Sequence, residues 1–168
     1  MSGSVRWSWR VGAALVAALL TLACAGDTPH WDDDDYVRIY VAALEALRQE
    51  VGADTMVVEP RPRFLIPDGE AFTMGDFSEF GEPAFTEAIA LSPRVVPCAS
   101  QPGGGCDSTE HPRRATLSMI RPLAAREAGL MASWVDTDRT PILTRVLRLQ
   151  LRYGGGTWRV VVLGEGVF

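Results

Sequence analysis

The chain of 168 residues contains no lysine and no asparagine. Without lysine there is no Schiff-base nucleophile and no P-loop cation. Without asparagine there is no N-glycosylation acceptor. All 16 basic residues are arginine, which a GC-rich genome explains, since lysine and asparagine codons are AT-rich. Histidine occurs twice, at His30 and His111, too sparsely for most hydrolytic or metal chemistry. The Gly-x-Ser-x-Gly elbow, the His-Glu-x-x-His helix and the dinucleotide fingerprint are missing. No catalytic residue, cofactor or metal ligand is therefore assigned.

Cysteine is also scarce, and its three positions are informative. Cys98 and Cys106 are not a Cys-x-x-Cys redox pair. They flank Ala-Ser-Gln-Pro-Gly-Gly-Gly, a flexible loop able to close on itself, and are expected to form a disulfide in an exported protein. Their spacing to His111 matches no standard zinc pattern. The third, Cys24, follows Arg6, Arg10 and an apolar run over residues 11–22. A positive flank, a short apolar core and small residues at the cut describe an export signal, and twelve apolar residues fall short of the roughly 20 that span a bilayer.

Three outcomes fit this segment. Thr21-Leu22-Ala23-Cys24 resembles the lipobox of bacterial lipoproteins, although the family prefers leucine where Thr21 stands. That resemblance implies cleavage before Cys24, acylation of its thiol and membrane attachment through several acyl chains. Ala25 after the cysteine resembles the outer-membrane sorting class. Alternatively, Ala23-Cys24-Ala25 suits ordinary signal peptidase with a cut after Ala25. An uncleaved anchor is the third outcome, favoured by Trp7 and Trp9 at the membrane interface.

The expected organisation is a signal peptide (1–23), an acidic tether (24–35) and a single domain (36–168). Loss of residues 1–23 shifts the net charge from −5 to −7, which disfavours nucleic acid as a partner. Asp32 to Asp35 lack the alternation, glycine and terminal glutamate of an EF-hand loop; they suit the N-terminal dipole of a following helix.

That helix is expected over 34–51, with Tyr36, Tyr40, Ala43, Leu44, Leu47 and Val51 on one face and Gly52 as the stop. A strand over 55–59 ends at Pro60 and Pro62. Residues 60–82 read as the least regular stretch, holding Phe64, Phe72, Phe77 and Phe80 beside Asp76, Glu79 and Glu82. A loop of that length is functional or hides short elements. A short helix follows over 83–91, then the start of a strand at Val95.

Strands are expected over 115–120, closed by Pro122, and over 128–135, 143–153 and 158–163. The last two alternate clearly: Leu147, Leu149, Leu151 and Tyr153 on one face, Arg148, Gln150 and Arg152 on the other, with Gly154-Gly155-Gly156 as the reversal. Helix first and strands after indicate α+β, with the N-terminal helix packed on an antiparallel sheet of four to five strands.

Cys24, the helix Tyr-Val-Arg-Ile-Tyr-Val-Ala-Ala-Leu-Glu-Ala-Leu from Tyr36 and the closing Gly-Thr-Trp-Arg-Val hairpin together resemble small α+β lipoproteins of the bacterial envelope. The resemblance implies an exported, membrane-anchored protein held through acylated Cys24, on the outer membrane or cell surface, and otherwise periplasmic or secreted. It brings no activity with it. Two functions are carried forward. One is a binding or structural role toward an envelope partner, with residues 60–82 as the contact surface and no ordered polar cleft. The other is an envelope hydrolase using dispersed carboxylates such as Asp76, Glu79 or Glu110, which must converge in a pocket.

Overall fold

The computed structural model describes residues 31–68, 71–99, 101 and 105–165. The expected signal peptide, Cys24 and the first part of the tether lie outside them.

Helix α1 spans Asp33–Glu50. The Asp32 carboxylate caps it, accepting from the Asp35 N–H at 2.9 Å, and Asp33 to Asp35 occupy the first turn, where the helix dipole favours negative charge. The helix thus begins inside the stretch read as tether. Trp31 before it is also docked: its indole N–H donates to the Ala125 carbonyl at 3.0 Å, and its ring meets Trp158 edge-on at 5.4 Å. The Trp158 indole in turn donates to Asp35 at 3.1 Å. At the other end Gly52 takes a φ of +66°, the left-handed turn expected of a helix stop. Tyr40, Ala43, Leu44 and Leu47 are buried as the spacing predicts; Val37 and Ile39 join them, while Tyr36 and Val51 are only half-buried.

Strand β1 spans Met56–Val58, β2 Arg63–Asp68 and β3 Ala71–Phe77; helix α2, Glu82–Leu91, leads to β4, Val95–Pro97. The remaining strands are β5 (Arg113–Leu117), β6 (Arg121–Ala124), β7 (Glu127–Asp136), β8 (Leu143–Gly154) and β9 (Thr157–Glu165). Seven form one sheet in the order β4-β1-β5-β7-β8-β9, with β6 also on β7. The fold is α+β, but the sheet is mixed. β4 and β5 both pair with β1 in parallel, and only the β5-to-β9 part with β6 is antiparallel. Parallel neighbours need a crossover rather than a hairpin, and between β1 and β4 helix α2 lies in that crossover.

Residues 60–82 are more regular than expected. Most of them form β2 and β3, an antiparallel ribbon registered Leu65 against Met74 and Ile66 against Thr73. A Cβ at Gly75 would run into the Ile66 side chain, so glycine is what lets that side chain lie across the ribbon. Pro122 does not close the preceding strand. It sits within β6, an edge strand, where the missing N–H costs no ladder bond.

The β7–β8–β9 meander follows the expected pattern. Leu147, Leu149 and Leu151 are fully buried, opposite Ala132, Leu130 and Ala128 of β7, while Arg148, Arg152 and Arg159 are exposed. The β8–β9 turn places Gly155 and Gly156 at positive φ, the requirement of a two-residue hairpin at both positions. Helix α1 lays its apolar face over this surface, giving a core with Leu44, Leu47, Met56, Phe85, Leu117 and Trp158.

Cys98 follows β4 and lies at disulfide-bonding distance from Cys106, with their Cα atoms 5.6 Å apart. Closing a loop this short is worth about 2–3 kcal/mol on the chain-entropy model. Cys98→Ser/Cys106→Ser is therefore expected to lower the stability read from urea unfolding by about that amount. An unchanged midpoint would show that the pair does not constrain the chain.

Candidate functional site: an apolar groove between the two helices

The three carboxylates expected of a hydrolase stay on exposed surface. Asp76 is in β3, Glu79 lies before α2, and Glu110 is in the turn ahead of β5. None of them lines the groove described next.

The groove runs between the N-terminal halves of α1 and α2 and has a volume of about 470 Å³, within the range of ligand sites. Asp33, Tyr36, Val37 and Tyr40 form one wall, because positions three and four apart share a helix face. Gly81, Pro83, Ala84 and Glu87 form the other, and Met119 and Ile120, between β5 and β6, complete the lining. Gly81 starts α2 at a φ of +78°, a conformation that favours glycine, and Pro83 supplies the preset φ of a helical first turn.

Tyr40 is the deepest of these groups. Its side chain is fully buried, its ring meets Phe85 edge-on at 4.9 Å, and its hydroxyl donates a long hydrogen bond of 3.4 Å to the Ser118 carbonyl. Burial pushes the phenol well above its ordinary value of 10, so it remains a neutral donor. It is not poised as a base.

The lips differ from the lining. Asp33 and Glu87 are exposed on opposite helices, and neither makes an ion pair among the described residues. Their neighbours are paired: Asp34 with Arg38 at 3.6 Å, Glu82 with Arg61 at 3.2 Å. A shallow recess beside the groove is lined by Glu79, Pro83, Thr86, Glu87 and Ala90 together with the paired Glu82. Phe80, beside Gly81, is 72% exposed.

The binding reading expected no ordered polar cleft, and the structure corrects this: a polar cleft of about 590 Å³ lies near the C-terminal end of α1. Apart from Asp54, its charged side chains are held in ion pairs. Asp136, almost fully buried, is bracketed by Arg113 at 3.4 Å and Arg139 at 3.3 Å. Arg145 spans Glu50 at 2.8 Å and Glu165 at 2.7 Å. These are two separate groups of ion pairs, one around Asp136 and one around Arg145.

A third polar cluster ties the β2–β3 ribbon to the sheet. Glu59, 5% exposed, accepts from Arg63 at 3.1 and 3.3 Å and from the Thr116 hydroxyl at 2.7 Å. The Arg63 guanidinium lies 4.2 Å from the centre of the Phe77 ring and also donates to the Gly75 carbonyl. Two ribbon side chains that point away, Phe64 and Ile66, are 38% and 48% exposed.

Sequence reasoning found the ribbon as a candidate contact surface but not the groove. The 33, 36, 37, 40 spacing was available as a signal. What faces it, α2 and the 119–120 link, lies far along the chain and is brought there only by packing. Among the described residues no group of three His, Cys, Asp or Glu side chains gathers as a metal site, and no helix is long and apolar enough to cross a membrane. Comparison with protein-family models, curated proteins and solved structures returned no match.

Proposed function

We propose that this chain is an exported cell-envelope protein, anchored to a membrane by acylation of Cys24, whose folded part from Trp31 onward is a binding module using the groove between α1 and α2. The observation that carries the binding role is the groove itself: a largely apolar lining between two helices that includes a deeply buried tyrosine. Such a surface suits holding a ligand.

The address is supported by cysteine arithmetic. Cys98 and Cys106 stand within bonding distance of each other, so Cys24 is the odd thiol of a chain suited to an oxidising compartment. Acylation there would account for it, and so would an ordinary cut after Ala25, so the arithmetic supports export more than it separates the two cuts. The short apolar segment ahead of Cys24, with its two arginines, supports export.

Metabolic labelling with a clickable fatty acid tests the anchor. The wild type is expected to carry label and partition with membranes, and Cys24→Ala to lose the label entirely. Label retained in the Cys24→Ala chain would refute acylation at this site.

A further inference from the structure

We propose that the α1–α2 groove is a docking site for a basic, apolar peptide segment of an envelope partner, with an apolar side chain seated between the helices and arginine or lysine of the same segment on Asp33 and Glu87. The inference rests on the binding reading above and names its ligand.

Charge complementarity carries the choice of occupant. An apolar slot flanked on both lips by carboxylates without ionic partners among the described residues selects against anions, including acidic lipid headgroups. It favours a ligand that brings cations to the rim and an apolar group to the centre. Tyr36, half-buried in the lining, adds aromatic surface, which suits both. The acidic character does not stop at the slot, because Glu79 stands exposed ahead of α2, and Phe80 stands exposed beside it. Glu79 and Phe80, beyond the slot, give successive side chains of a peptide further places to rest. The domain's net acidity steers such a partner toward it.

The test is fluorescence anisotropy with the full chain in a non-ionic detergent and three labelled hexapeptides: alternating arginine and leucine, alternating arginine and serine, and alternating glutamate and leucine. Saturable binding is expected for the first alone. Asp33→Asn/Glu87→Gln is expected to weaken it about tenfold, the loss that two partly exposed ion pairs bring together. Both side chains are exposed, so this variant keeps its fold, which its thermal midpoint checks. Ala84→Phe, which fills the slot, is expected to abolish binding. Equal binding of the arginine–serine or glutamate–leucine peptide overturns the proposal, as does unchanged affinity in the Asp33→Asn/Glu87→Gln chain. Run in parallel, Cys24→Ala should bind like the wild type. A failure of the anchor and a failure of the groove are thereby separable.

Discussion

Glu59→Ala is expected to destabilise the domain by about 3 kcal/mol, measured as a lower midpoint in urea with an unchanged slope. The Glu59 carboxylate is the shared acceptor for Arg63 and Thr116, and it is almost fully removed from water. Its loss leaves the buried Thr116 hydroxyl without that acceptor and the Arg63 guanidinium without its counter-charge. Arg63 is 29% exposed and keeps its contact with Phe77, so the cost falls at the lower end of what breaking a buried pair brings. A second readout separates this from general weakening. Arg63 holds the base of the ribbon, whose backbone also reaches the sheet through the Met119 N–H on the Arg63 carbonyl at 2.7 Å. Proteolysis within β2 and β3 should therefore accelerate more than proteolysis elsewhere. Glu59→Gln keeps shape and some hydrogen bonding, and is expected to lose roughly half as much. Equal stability of wild type and Glu59→Ala would remove the cluster from any account of how the ribbon is held.

Leu149→Ala is expected to cost about 2–5 kcal/mol, the range for a large-to-small change in a close-packed core. Leu149 is fully buried at the centre of β8, opposite Leu130 of β7 and Leu163 of β9. Neighbours on both sides are pinned by ladder hydrogen bonds, so the cavity cannot collapse easily and the upper part of the range applies. Phe80→Ala is the contrast: a larger apolar residue, but mostly in water, whose loss should leave the unfolding midpoint within about 0.5 kcal/mol of wild type.

The meander was readable from the chain because its strands are long and half-wet. Leucine alternates with arginine or glutamine from Leu147 to Arg152, and the Gly155-Gly156 turn fixes the register. The first helix was readable for a similar reason, with an acidic start, a glycine stop and one apolar face. The parallel side was not. β1 and β4 are three residues each, too short to show any period, and their pairing depends on a crossover whose path no local pattern reveals. The ribbon was hidden by Pro67 and Gly75, which read as loop punctuation although they sit within strands.

The groove was hidden differently. Asp33 and Tyr40 were recognised as a helix-start acid and a core-face residue, and both descriptions hold. Neither description says that α2 would stand opposite and leave a slot open between them.

Composition and periodicity by themselves determined the first helix, the strands of the meander and their arginine-bearing wet face. They raised Cys24 as the candidate anchor and Cys98 with Cys106 as a candidate pair. Only the tertiary structure decided that the sheet is mixed, that Glu59 meets Thr116 across 57 positions of sequence, and that two carboxylates from separate helices flank one apolar slot. The division has a physical cause. Side-chain burial repeats with the local backbone geometry and so leaves a period in the sequence. A site assembled from distant segments leaves none, because nothing local records which surfaces will meet.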